Sequence, residues 1–365
     1  MKCCGPRRRT PPAVIGGDRG LVHQPGGQDL DVVGHVMVFV PAPRLTVTIE
    51  LLAGAPDIHL HPGGQGVWQA RMLRAMDTRV VLCAVFGGET GQVTRDLLAD
   101  TDLEVRAVDG ESRTGAYVHD RRGGDRIDVA EMPGEPLSRH EVDELYGLAL
   151  AEGLRAGVCL LGGPGHPPVV EPEVYRRLAA DLSANGCLVV ADLRGAHLHA
   201  AAAGGVRLIK VSHEELLIDG DAGADTLDEL VRAASALRRE GVETVIVTRG
   251  QHPALALIGD EVYEVVAPLL EAVDTKGAGD STIAAIVASI AQHEDLADAI
   301  RTGVAAGTLN VTRHGLGSGQ REAIMELRER VRLQPVRETG AERGTWEGPH
   351  LRATPEELAE RIRPR

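Results

Sequence analysis

Asp274-Thr275-Lys276-Gly277-Ala278-Gly279-Asp280-Ser281 leads straight into the apolar helical pattern of 282–291. Small residues at this point let the backbone approach a ligand closely. A helix that starts at Gly279 or Asp280 leaves the N–H groups of Gly277, Ala278, Gly279 and Asp280 pointing out of its first turn, where they favour an anion. The pattern is a phosphate cradle without the lysine of a Walker loop. Asp280 has two readings at that position. It is an acidic cap or dipole partner, or it is a general base that takes the proton of a substrate hydroxyl while the N–H groups stabilise a transferring phosphoryl. Competing nucleotide motifs are missing: the sequence has no GxxxxGK[ST] loop, and Gly315-Leu316-Gly317-Ser318-Gly319 is cut short by Gln320 before it completes GxGxxG.

Upstream of this stretch, short aliphatic runs at 80–86, 157–161, 187–192, 206–211 and 244–248 are separated by helical patterns such as 172–184 and 227–240. Apolar strands with little alternation, spaced by helices, predict an α/β fold whose central sheet is mostly parallel and flanked by helices on both faces. Ligands of such sheets sit at the C-terminal ends of the strands. Two segments differ. Residues 45–51 alternate as LTVTIEL, and 116–130 read as two short strands around Gly123-Gly124. Alternation means one wet face, so a small β-sheet lid, from about 44–60 and 114–131, is expected to project over the site.

The chain has 365 residues, 43% of them hydrophobic, enough for a substantial core. With aromatics at 2% and a formal charge of -14, it offers neither a base-stacking row nor a basic face, so nucleic-acid binding is disfavoured. Cys3, Cys4, Cys83, Cys159 and Cys187 are an odd set without CxxC spacing and read as reduced thiols, the last three within strand-like runs. No apolar run suits a membrane span and no signal-like segment opens the chain, which predicts a cytoplasmic protein. Residues 1–33 read as a disordered extension, with Met37 a candidate start, and 335–365 as a polar tail with a short helix. One domain at 34–334 is left between them.

The octapeptide and its helix resemble the C-terminal signature of the ribokinase/PfkB carbohydrate kinase family. His61-Pro62-Gly63-Gly64-Gln65-Gly66 resembles that family's N-terminal Gly-Gly element. Phe86-Gly87-Gly88-Glu89-Thr90-Gly91 is similar to a segment of the 1-phosphofructokinase and tagatose-6-phosphate kinase branch, and Leu208-Ile209-Lys210 with Glu214-Glu215-Leu216 resembles its LIKPNxEEL element. The resemblance runs from about 36 to 334. It implies a ribokinase-like fold and phosphoryl transfer from ATP with Mg²⁺ to a hydroxymethyl group of a sugar or sugar phosphate. Asp280 would be the base, with Gly277, Ala278 and Gly279 as anion hole. Glu215 would hold Mg²⁺, as suits a hard oxygen ligand. Thr248, Arg249 and Gly250 match the turn that carries the nucleotide, joined on that side by Lys210, Ser212 and Asn310. Gly63, Gly64, Arg113 and Arg44 fall on the substrate side, where the guanidinium of Arg113 suits a phosphate. A homodimer through the lid is a further implication.

Departures cluster on the sugar side. Arg44 stands where the family has a hydroxyl-gripping Asp, and an arginine has no acceptor to offer. Either the substrate carries another anionic group or the site differs. Gln65 removes a lysine charge, Trp68 replaces a polar Asn with an indole, Ser212 replaces an Asn, and Pro253 replaces a glycine. The base and anion hole are intact, which points to altered specificity. The alternatives are a kinase for an unphosphorylated sugar or a nucleoside, and a non-catalytic nucleotide- or metabolite-binding protein of the same fold.

Overall fold

Strands that are apolar along their whole length need cover on both faces, and the computed structural model supplies it. It describes residues 35–124, 126–312 and 319–336, all within the unit Val33–Arg365. The N-terminal extension, the C-terminal tail beyond residue 336 and most of the Gly315–Gly319 stretch lie outside the described residues.

The chain begins with β1 (His35–Val40), the hairpin β2 (Arg44–Leu52) and β3 (Ala55–Gly63), α1 (Gln65–Ala75), β4 (Arg79–Gly87), α2 (Gly88–Ala99), β5 (Glu104–Gly110), and the hairpin β6 (Gly115–Asp120) and β7 (Ile127–Met132). It continues as α3 (Arg139–Ala156), β8 (Val158–Leu161), α4 (Pro172–Ala184), β9 (Leu188–Asp192), α5 (Gly195–Ala203), β10 (Leu208–Ser212), α6 (His213–Ile218) and α7 (Leu227–Arg239). The last part is β11 (Thr244–Arg249), β12 (His252–Ile258), β13 (Glu261–Val266), α8 (Ala278–Ala291), α9 (Leu296–Asn310), α10 (Arg321–Arg328) and β14 (Arg332–Pro335).

The large sheet has the order β14-β13-β12-β11-β10-β9-β8-β1-β4-β5. From β11 to β5 every pairing is parallel, as the unalternated runs predict. The strands β12, β13 and β14 extend it as an antiparallel edge that the sequence reading did not foresee. Alternate residues of β1 serve two cores: Val36, Val38 and Val40 pack with Ile283, Ile286 and Ile300 of α8 and α9, whereas Met37 and Phe39 pack with Leu145 and Leu178 of α3 and α4. Cys83 and Cys159 are free and buried in the second core, and burial pushes the Cys83 thiol up to about 12. No helix of the described residues is long and apolar enough to cross a membrane.

A second sheet has the order β3-β2-β6-β7, and its alternation gives it two unlike faces. Thr46 sits opposite His61 and Tyr117, and Thr48 opposite His59 and His119, on the polar face. Val47, Leu60 and Val118 share the other. Part of that apolar face is open, with Ile58 61% and Leu60 47% exposed.

Helix starts follow from local chemistry. Ser138 and Glu141 form a capping box on α3, and Ser212 and Glu215 form another on α6. The helix of the octapeptide begins at Ala278, one or two residues earlier than the sequence reading places it, because Gly277 takes the N-cap with φ 76°, a left-handed conformation that favours glycine.

Candidate active site

Two cavities open at the C-terminal ends of the parallel strands, of about 760 Å³ and about 1110 Å³. They share Gln65, Glu215, Gly277 and Asp280 in their walls. The smaller one lies under the polar face of the small sheet, lined by Arg44, Thr46, Tyr117 and His119 among others. The larger one runs from the ends of β10 and β11 to α8 and α9, lined by Lys210, Ser212, Thr248, Arg249, Gly250, Ala278, Gly279 and Thr308. A group in one chamber therefore meets a group in the other over the first turn of α8.

Asp280, the third residue of α8, does not cap the helix, which has no side-chain cap at all. Its Oδ1 instead accepts from Gln69 Nε2 at 3.4 Å. That amide also donates to Asp192 Oδ2 at 2.9 Å, and Lys210 Nζ lies 2.6 Å from Asp192 Oδ1. Burial, followed by the nearby Asp192 and Glu215 carboxylates, raises the Asp280 carboxyl to about 7, against the pull of Lys210 and Gln65. The Asp192–Lys210 contact is a charged pair: burial pushes the Asp192 carboxyl up, with Lys210 opposing. Burial also works against the ammonium, but Asp192, Glu215 and Asp280 hold it above its ordinary value.

The loop before α8 is fixed from two sides. Asn310 Nδ2 donates to the Lys276 carbonyl at 2.9 Å, and its Oδ1 accepts from Ser281 Oγ at 3.0 Å. Asn310 is thus a buried strut that lines neither cavity. From the small sheet, Arg121 Nη2 reaches Asp274 Oδ2 at 2.6 Å, an ion pair whose side chains are only 11% and 13% exposed. A Cβ on Gly279 would stand 2.7 Å from Lys210 Nζ, so a side chain there would press on the ammonium that pairs with Asp192.

The other residues singled out by sequence divide. Glu215 lines both cavities, and its Oε2 accepts from the Ser212 N–H at 2.8 Å. Gly64 lines the smaller cavity with φ 95°. Gly63 packs behind it, where a Cβ would stand 2.3 Å from Thr46 Oγ1. Arg44 lines the cavity but pairs with Glu131 at 2.9 Å across the small sheet. Its charge, which left open either another anionic group on the substrate or a different site, has Glu131 as a partner within the chain. Arg113 lines neither cavity; its half-exposed guanidinium lies 4.0 Å from Glu135.

The sequence reading missed Asp192, Gln69, Arg71, Arg121 and His119. Only Asp192 carried a usable signal, an acid closing the apolar run Leu188-Val189-Val190-Ala191 at the ligand end of a parallel strand. Among the described residues no three His, Cys, Asp or Glu side chains form a metal cage. A Mg²⁺ that arrives with nucleotide phosphates needs only one or two carboxylates, and Glu215 at the junction of the cavities fits that demand.

The sequence model for the pfkB family carbohydrate kinases matches residues 28–323. The ATP-dependent 6-phosphofructokinase isozyme 2 of Escherichia coli (strain K12) is 29% identical over 258 residues, covering 70% of this chain and 82% of that protein. The 1-phosphofructokinase of Bacillus subtilis (strain 168) is 26% identical over 273 residues, covering 75% and 88%. Among solved structures, phosphofructokinase-2 from Escherichia coli in complex with potassium has a TM-score of 0.71 at 24% identity, covering 82% of this chain and 98% of that one. Arabidopsis thaliana ribokinase complexed with ribose and ATP has a TM-score of 0.62 at 19% identity, covering 82% and 99%. At these identities the structures show the fold.

Proposed function

The chain belongs to the pfkB family of carbohydrate kinases, and on that premise we propose that it transfers the γ-phosphoryl group of ATP to a hydroxymethyl group of a sugar phosphate, as a hexose-phosphate kinase like 1-phosphofructokinase. The observation that carries this reading is the pair of cavities meeting at Asp280 and Gly277. Nucleotide occupies the larger one, against Thr248, Arg249 and Gly250, and acceptor the smaller one. Asp280 takes the hydroxyl proton as the oxygen attacks, and its raised pKa suits a base working near neutrality. The N–H groups of Gly277, Ala278 and Gly279 face the charge that gathers on the phosphoryl oxygens. Mg²⁺ neutralises phosphate charge when bound, with Glu215 as its protein carboxylate. Lys210 and Ser212 fix the nucleotide side from below. Residues 34–334 form the catalytic unit, with the small sheet as its lid, working in the cytoplasm.

An ATP-consumption assay with Mg²⁺ across fructose 1-phosphate, fructose 6-phosphate, tagatose 6-phosphate, ribose, fructose and adenosine tests this. A hexose phosphate is expected to be turned over best. A preference for ribose, fructose or adenosine moves the acceptor class, and silence with all six overturns the kinase reading.

The open apolar face of the small sheet supports a homodimer through it, because Ile58 and Leu60 of β3 share one face without cover from the described residues. Leu60→Glu is expected to convert a dimer to a monomer in light scattering while leaving circular dichroism unchanged. A wild-type chain that runs as a monomer at micromolar concentration rules the dimer out.

A further inference from the structure

Most cations around the acceptor cavity already have partners. Arg44 pairs with Glu131 at 2.9 Å, Arg121 with Asp274 at 2.6 Å and Arg194 with Asp219 at 3.7 Å. Arg126 donates to the Tyr117 hydroxyl at 3.2 Å. Arg71 is different. It lines the cavity from α1, is half-buried, and has no described carboxylate or carbonyl against it. Its one contact of note is the Trp68 ring, whose centroid lies 5.2 Å from Cζ. Burial lowers its pKa with no acid to offset the cost. A guanidinium held that way, with its donors turned to a cavity, lacks an anion.

Its place on α1 says which one. Gln65, Trp68 and Arg71 follow each other in steps of three along the cavity wall, about 9 Å of helix rise from first to last. Gln65 is at the Asp192–Asp280 end, where its Nε2 donates to the Asp192 carbonyl at 3.2 Å. Arg71 is at the far end, beside His61, whose pKa is lowered by burial, by His59 and then by Arg71 itself. That rise along α1 is on the scale of a six-carbon sugar phosphate. Trp68 does two things there: one face of the indole steadies the guanidinium, and its bulk closes the wall that a smaller side chain would leave open.

We propose that Arg71, seated on Trp68, holds the phosphate already present on the acceptor and so selects phosphorylated over unphosphorylated sugars. This rests on the kinase reading for its substrate, while the anion site itself can be tested without turnover. Arg113, whose side chain faces Glu135 outside the cavity, is not the anchor within this chain.

With fructose 6-phosphate or fructose 1-phosphate as acceptor, Arg71→Met is expected to raise the acceptor KM about 10- to 100-fold, the loss of a charge-assisted contact, with the KM for ATP unchanged. Arg71→Lys restores part of it, since charge returns without the planar fork. An unchanged acceptor KM in Arg71→Met overturns the proposal and leaves the kinase reading standing. Anion binding gives an independent readout, because Trp68 is one of two tryptophans. In a Trp346→Phe background, inorganic phosphate is expected to change the Trp68 fluorescence saturably, and Arg71→Met to abolish that change while circular dichroism stays as in the parent. If no sugar phosphate is turned over but this response is present and Arg71-dependent, the kinase reading fails and the anion site survives. No response, or the same response in Arg71→Met, overturns the anion site. Should Arg71→Met not fold, Arg71→Lys carries both tests: a response and KM equal to those of wild type count against the guanidinium.

Discussion

Asp280→Asn is expected to lower kcat about 10²- to 10⁴-fold, the range that a positioned general base contributes, with little change in the KM for ATP. Asparagine keeps the size and leaves an oxygen for the Gln69 amide, which donates to Asp280 at 3.4 Å, but it cannot take a proton. The same change relieves repulsion, because Asp192 and Glu215 both push the Asp280 carboxyl up. The variant is therefore expected to unfold at the wild-type temperature or above it, which separates lost chemistry from lost structure. The pH profile adds a second signature. The base must be ionised, so wild-type kcat/KM falls as pH drops through about 7, and the residual activity of Asp280→Asn lacks that acidic limb. Near-normal turnover in the variant, or a wild-type profile flat through neutrality, sinks Asp280 as the base.

Which parts of this were legible in the sequence depends on how far apart the cooperating residues lie. The glycine turn leading into α8 was legible because it is local: Gly277, Gly279 and Asp280 sit within one turn at the start of an apolar helix. The start of α8 was misplaced by one or two residues because the left-handed φ of Gly277 is a property of the folded loop. The parallel strands were legible from their unbroken apolar runs, such as Val80-Val81-Leu82-Cys83-Ala84-Val85, which are buried on both faces. The antiparallel edge was not. Residues 254–257 read Ala-Leu-Ala-Leu and 261–266 Glu-Val-Tyr-Glu-Val-Val, and nothing local says that Tyr263 pairs with Pro335.

The floor of the site was hidden for the same reason. Gln69, Asp192 and Lys210 come from α1, β9 and β10, and each alone has an ordinary reading: a helix glutamine, a strand-ending acid, a lysine beside the nucleotide. Only their convergence makes a charged cluster under Asp280. On the sugar side, sequence alone does not say which charges have a partner within the chain. Arg44 faces Glu131 and Arg113 faces Glu135, whereas Arg71, which passes unnoticed inside Trp68-Gln69-Ala70-Arg71, lines the cavity without an acid among the described residues. Charge composition cannot distinguish these cases, since all three residues are arginines. Pairing across strands decides them.

Lys210→Met is expected to destabilise the fold by about 3–5 kcal/mol, the usual cost of leaving one member of a buried ion pair behind. The ammonium lies 2.6 Å from Asp192 Oδ1, and the two side chains are 6% and 2% exposed. Methionine replaces the stem of the lysine and removes only its charge and donors. Asp192 would keep the Gln69 amide on Oδ2 at 2.9 Å and have nothing to neutralise it in a dry site next to Asp280 and Glu215. Urea denaturation is expected to show the loss in the midpoint with an unchanged slope. The double variant Lys210→Met/Asp192→Asn should recover most of it, because the orphaned charge has gone. The penalty also has a pH dependence of known sign. Burial already pushes the Asp192 carboxyl above its ordinary 3.8, and Lys210 is the largest influence against that shift. Without the lysine the folded-state value rises further, the folded chain holds a proton that the unfolded chain releases, and stability falls as pH climbs from 3.8 until Asp192 ionises in the folded state. The gap between variant and wild type is thus expected to be narrower at mildly acidic pH than at pH 8. A gap that is constant across that range, or a double variant no more stable than Lys210→Met alone, shows that the lysine acts through its packing rather than its charge.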